Sequence, residues 1–234
     1  ASVRHNPHYS MSPAFRAESS RGMSRSGLRS SGGSAFEPNL DVDFYSIEGN
    51  EDNSLFEQEF ELMVRLDHPN VVKASQSGVI AGTHYMEIEP IEGETLLDRV
   101  ESNKSLELEE IIAVLQQMCS ALDHIHERKI VHRDVKLSNI MLDYANNRSV
   151  LFDFGLGHDL NGPPPPEGRV YGSPMFLAPE QAVGGPVDAR TDLYSLGITL
   201  YRLTVGALPF YGERNELLLS LIHISEPTRQ EAIS

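Results

Sequence analysis

"IVHRDVKLSNIML", residues 130–142, sets a histidine, two cationic side chains, an acid and an amide into an otherwise largely apolar stretch. What flanks it decides how it folds. Upstream, "LEEIIAVLQQMCSALDHIHERK" (108–129) has the clearest helical period in the chain, with Ile112, Leu115, Met118, Cys119, Leu122 and Ile125 on one apolar stripe. Downstream come two short hydrophobic strands, "NIML" and "SVLFDF", the second running into Asp153 and Phe154 of "DFG". Asp134, Lys136 and Asn139 therefore fall on a short loop between a long helix and a strand, with a second acid close by.

That set of groups has a chemical meaning. A carboxylate to orient a hydroxyl, an ammonium near a phosphate, and an amide plus a carboxylate for Mg2+ are what phosphoryl transfer requires, because the reaction is mostly positioning and charge neutralisation. Mg2+ takes oxygen ligands, and Asn139 with Asp153 supplies them while leaving room for phosphate oxygens.

"HRDVKLSN" (132–139), "DFG" (153–155) and "GSPMFLAPE" (172–180) resemble the protein kinase family in order and spacing. Lys136, two residues after Asp134, has the Ser/Thr rather than the Tyr form. With "APEQA" included, the stretch looks most like the bacterial, eukaryotic-type Ser/Thr protein kinases. The resemblance covers roughly residues 55–218 and implies an α+β, two-lobed fold, with a small β-rich N-lobe and a mainly helical, incomplete C-lobe. It implies ATP and Mg2+ as cofactors and a protein Ser/Thr hydroxyl as acceptor. Asp134 would be the catalytic base, Lys136 a contact to the transferred phosphate, and Asn139 and Asp153 the metal ligands. Ser173 would position Asp134 and the substrate hydroxyl. Glu59, ten residues before Pro69, matches the helix glutamate that pairs with an N-lobe lysine. Glu89 to Ile91 would be the hinge, with Ile88 as gatekeeper and the backbone of Glu89 and Ile91 binding adenine. Met63, His132, Phe154 and Asp192 would form the hydrophobic stack and its anchor, and Glu180 closes the third motif.

The N-lobe departs from this pattern. No lysine occurs between residues 1 and 72. The strand window reads "NLDVDFYSI", and its best alignment puts Asp43 in the lysine's place, where an acid would repel both ATP and Glu59. "SGGSAF" (31–36) has the flavour of a phosphate loop but lies only seven residues before Asp43. Two readings follow: a Ser/Thr protein kinase domain fragment transferring the ATP γ-phosphate, or a pseudokinase acting as a nucleotide-binding or scaffold module. The intact HRD, Asn139 and DFG favour the enzyme; the missing lysine favours the pseudokinase. A frame or read error across residues 1–50 is a third account of the lysine.

The remaining organisation follows from composition. Residues 1–35 hold ten serines, five arginines and one acid, which reads as a disordered tail, with a transit peptide as its rival. Residues 36–91 are the partial N-lobe and hinge, including a helix over 55–66 and two strands within 71–91. Residues 92–218 are the C-lobe, in which 191–204 is apolar on most faces and expected to be buried. Residues 219–234, beginning "LSLIHISEPTR", match the translation of a transposon-end sequencing adapter and are set apart as non-biological. A net charge of −15 argues against nucleic acid and acidic membrane partners and suits a basic or neutral macromolecular substrate. The single cysteine, Cys119, reads as core and fits a reducing compartment, so the expected location is cytoplasmic, with room for a membrane anchor outside this chain. Arg133 marks the class switched by a loop phosphate, yet residues 155–170 contain no Ser, Thr or Tyr, so ordinary loop phosphorylation is not expected to act here.

Overall fold

The computed structural model describes residues 43–47, 53–80, 83–164 and 170–210. The Ser/Arg-rich segment 1–35, "SGGSAF" and the segment 219–234 lie outside the described residues. In chain order the elements are β1 (Asp43–Ile47), α1 (Asn53–Met63), β2 (Ala74–Ile80), β3 (Thr83–Ile88), β4 (Gly93–Thr95), α2 (Leu96–Glu101), α3 (Leu108–Glu127), β5 (Ile130–Val131), β6 (Ile140–Asp143), β7 (Arg148–Leu151), β8 (His158–Asp159), α4 (Pro179–Ala182) and α5 (Ala189–Val205).

The first part is a three-stranded antiparallel sheet in the order β1-β3-β2, with α1 packed on it. The helix and hairpin predicted for 55–66 and 71–91 are both present. Phe56, Leu62, Met63 and Leu66 are buried, at the spacing that turns one face of α1 and its exit inward. The second part is mainly helical: α3 packs against α5 and β7, below a small sheet in the order β4-β6-β7. Asn70 joins the two parts, its side chain donating to the Ser149 carbonyl at 2.9 Å and its carbonyl accepting from Leu151 N–H at 2.9 Å. One apolar core runs continuously from Phe56 to Leu196.

Local signals fix the helix ends. Thr95 and Asp98 form a reciprocal capping box at the start of α2, with Asp98 N–H donating to Thr95 Oγ1 at 3.0 Å and Thr95 N–H to Asp98 Oδ2 at 3.1 Å. Asp188 caps α5, and Gly206 (φ +77°) closes it in the left-handed conformation.

Two sequence expectations are corrected. The buried stripe of α3 is Ile111, Val114, Met118, Ala121, Leu122 and Ile125, while Ile112 and Cys119 are exposed. The true face is rotated by one residue, because Ala121 and Val114 pack into the core as well as longer side chains do. Helix α5 is not buried all round: Leu193 and Tyr201 are exposed, and its inner face carries Thr191, Asp192, Ser195 and Thr199 beside Leu196 and Ile198. Those polar groups are committed to hydrogen bonds, which is why they face inward.

Candidate active site

The loop that follows β5 is polar yet buried: Asp134 is 3% exposed, Lys136 7% and Asn139 1%. Such groups survive burial only when each finds a partner. Asp134 Oδ2 accepts from Lys136 Nζ at 2.5 Å and from Asn139 Nδ2 at 3.2 Å, and Oδ1 accepts from Ser173 N–H at 3.0 Å. Lys136 Nζ donates also to Ser173 Oγ at 2.8 Å, and Asn139 Nδ2 to the Asp134 carbonyl at 3.0 Å. Four residues from two motifs thus form one network.

The loop's backbone is held from below by α5. Asp192, fully buried, accepts from His132 N–H at 2.9 Å on one oxygen and from Arg133 N–H at 2.8 Å on the other. His126 Nε2 lies 2.7 Å from the first oxygen. His132 Nε2 faces the Phe152 carbonyl at 3.1 Å and Nδ1 faces Asp134 N–H at 3.3 Å, which places the proton on Nε2. The His132 and Phe154 rings meet edge-on at 4.7 Å, and Met63 is buried in the same core. Arg133 has φ +65° and Asp153 φ +64°, so both motifs turn through the left-handed region.

Arg133 is engaged by the segment after "DFG". Its Nε donates to the Leu156 carbonyl at 2.6 Å, and its guanidinium lies 4.8 Å from the centre of the Tyr171 ring. Gln181, which the motifs gave no reason to single out, donates to the carbonyls of Arg133 and Tyr171, both at 2.9 Å, and accepts from Ala178 N–H at 3.0 Å. An amide directly after the third motif, on a helix of one turn, was the available signal. Glu180 is half-buried and accepts from Thr191 Oγ1 at 2.6 Å, a partner not foreseen from sequence.

Asp153 sits beside this network. Burial and then the Asp134 charge push its carboxyl above the usual range. Its Oδ2 is buried and has no hydrogen-bond partner among the described residues. An orphaned carboxylate oxygen close to an amide-bearing loop suits a hard cation that takes oxygen ligands, so the residues fit Mg2+. Glu59 on α1 is 6% exposed, and burial together with Asp153 pushes its carboxyl up to about 8. At the segment expected to be the hinge, Glu89 N–H donates to the Lys73 carbonyl at 2.9 Å, and its carboxylate pairs with Arg148 at 2.8 Å. Ile88 and Ile91 are buried. Strand β1, next to β3, opens with Asp43 opposite Ile88 and carries no Lys or Arg. A cavity of about 650 Å³, lined by Glu92, Glu94, Asp98, Glu101 and Tyr144, opens at the far end of β6. The three clustered histidines have separate partners: His124 Nε2 accepts from Asp67 N–H, His126 meets Asp192, and His132 stays in the loop. Among the described residues no helix is long and apolar enough to cross a membrane.

Comparison with known proteins gives a match to a family model described as a protein kinase domain over residues 44–230. The serine/threonine-protein kinase PrkC of Bacillus subtilis is 36% identical over 174 residues, covering 74% of this chain and 26% of the relative. The serine/threonine-protein kinase PknB of Mycolicibacterium smegmatis is 33% identical over 188 residues, covering 76% of this chain and 30% of the relative. A probable serine/threonine-protein kinase PknB of Lactococcus lactis is 32% identical over 172 residues, covering 73% and 27%. The chain thus spans between a quarter and a third of the length of these relatives.

Proposed function

Because this chain belongs to the protein kinase family, of the bacterial Ser/Thr kind, we propose that it transfers the γ-phosphoryl group of ATP to serine or threonine hydroxyls of a protein. The observation that carries this is the single network of Asp134, Lys136, Ser173 and Asn139, in which a buried carboxylate is held by an ammonium, an amide and a backbone N–H. Likeness to relatives named as serine/threonine-protein kinases favours transfer over the pseudokinase reading.

In this reading the Glu89 carbonyl and the Ile91 N–H take the adenine edge, since the Glu89 N–H is already committed to Lys73. Mg2+, held by Asn139 and Asp153, would neutralise charge on the phosphates. Asp134 orients the acceptor hydroxyl and receives its proton as the hydroxyl oxygen bonds to the γ-phosphorus and the bond to ADP breaks. Lys136, fixed between Asp134 and Ser173, offers its positive charge to the phosphoryl group in flight. Ser173 Oγ sets the height of Lys136 over the carboxylate. The substrate is a basic protein segment, matched to a net charge of −15 and to the acidic cavity below the hinge.

The test is phosphate transfer by the full chain from labelled ATP to a basic protein, with an acidic protein and Asp134→Asn alongside. Asp134→Asn should lower kcat by about 10²–10⁴. Incorporation that is equal in the variant and the unaltered chain would sink the assignment.

A further inference from the structure

Glu59 is a buried acid with no base beside it among the described residues. All four lysines of the chain are placed elsewhere: Lys73 pairs with Asp67 at 3.0 Å, Lys104 with Glu94 at 3.5 Å, Lys136 with Asp134 at 2.5 Å, and Lys129 lies in the exposed turn after α3. Among the described residues no arginine pairs with Glu59 either; Arg65 binds Asp159, Arg133 the Leu156 carbonyl, and Arg148 Asp143 and Glu89.

What Glu59 faces is a second carboxylate. A methyl built on Gly155 would lie 3.4 Å from Asp153 Oδ1 and 3.5 Å from Glu59 Oε2, so both acids look into one small space above that glycine. The other Asp153 oxygen is buried without a partner among the described residues. The backbone N–H of Phe154 favours the charged Glu59 carboxylate, whose oxygens keep lone pairs to spare. Two buried carboxylates at one point are stable only with a positive charge between them or a proton on one. A hard divalent ion matches both the charge and the donor type, and would complete its shell with water.

We propose that Glu59 and Asp153 together hold a divalent cation of the Mg2+ or Mn2+ class, so that a metal ion stands where a lysine would otherwise tie α1 to the nucleotide site. The inference rests on the proposed function only through Asp153; Glu59 as a ligand is the new element. It makes the seating of α1 against the "DFG" segment depend on metal, and gives this N-lobe a reason to lack the strand lysine.

The experiment is titration of Mn2+ alone into the full chain without nucleotide, read by the loss of the free-ion electron paramagnetic resonance signal and by Tm. One saturable ion and a rise in Tm are expected, since an ion that binds only the folded chain stabilises it. Glu59→Gln should weaken binding at least tenfold while leaving the metal-free Tm equal or higher. Gly155→Ala, which fills the cradle with a methyl in contact with both acids but leaves both carboxylates in place, should weaken it as well. If Glu59→Gln and Gly155→Ala bind as the unaltered chain does and only Asp153→Asn loses the ion, this inference falls and the proposed function stands. If the unaltered chain takes up no Mn2+, through a retained proton on Glu59 or an arginine from outside the described residues, the inference falls. If Asp153→Asn also binds normally, the metal assignment within the proposed function falls with it.

Discussion

Replacing Asp192 by Asn is the sharpest test of how the catalytic loop is held. The carboxylate uses both oxygens, one for Arg133 N–H at 2.8 Å and one for His132 N–H at 2.9 Å with His126 at 2.7 Å. An Asn keeps one acceptor. Whichever way it turns, its NH2 confronts a buried backbone N–H, and one charge-assisted hydrogen bond is lost with its donor left unpaired. Each such bond contributes about 1.5–3 kcal/mol, and an orphaned buried donor costs about 1–3 kcal/mol. The expected loss is therefore about 3–5 kcal/mol, a large part of the roughly 5–15 kcal/mol that holds a whole domain. Urea unfolding followed by circular dichroism would measure it, with His126→Ala, which leaves both amide contacts, costing only about 1 kcal/mol. Asp192→Asn within about 0.5 kcal/mol of the unaltered chain would refute the two-oxygen account.

Two more outcomes are expected from the structure. Gly93→Ala places a methyl 1.7 Å from the Leu142 carbonyl, in the pairing of β4 with β6; backbone must move, and we expect a loss of about 3 kcal/mol or more in the same unfolding assay. Burial and then Arg128 hold the His68 and His124 imidazoles below their usual range. The unfolded chain then binds more protons than the folded one below about pH 6.5, so stability should be lost as pH falls from there. Asp67, Glu127 and Arg128 are the charged groups around His124. His124→Gln should flatten the fall in Tm between pH 7 and 5; an unchanged slope would count against this.

The C-lobe was legible because its motifs are contiguous: eight residues supply Asp134, Lys136 and Asn139, and three more supply Asp153. Counting back from "HPN" gives Glu59 as a partner for a lysine, whereas α1 sets it near Asp153. The hidden parts are those that depend on packing between distant segments. Gln181 matters because its amide reaches two carbonyls 48 and 10 residues away, and no local pattern announces that. The α3 stripe was misjudged by one residue because Ile112 is as apolar as Ile111, and only the position of β7 and α5 decides which faces the core. Cys119 went with Ile112 for the same reason. The polar inner face of α5 runs against the binary pattern, since Asp192, Ser195 and Thr199 read as surface until their partners are seen.

The left-handed backbone at Arg133 and Asp153 sets a limit on how this domain can be stabilised. A non-glycine residue held there costs on the order of 1–3 kcal/mol each, less for an aspartate than for an arginine. Glycine at either position would relax the chain. It would also delete the guanidinium that grips Leu156 and Tyr171, or the carboxylate beside Glu59. Thermal tolerance and the site are therefore in direct competition at these two dihedrals. A programme to raise Tm would do better at exposed apolar positions such as Val64, Leu108 or Val183, where nothing in the loop depends on the side chain.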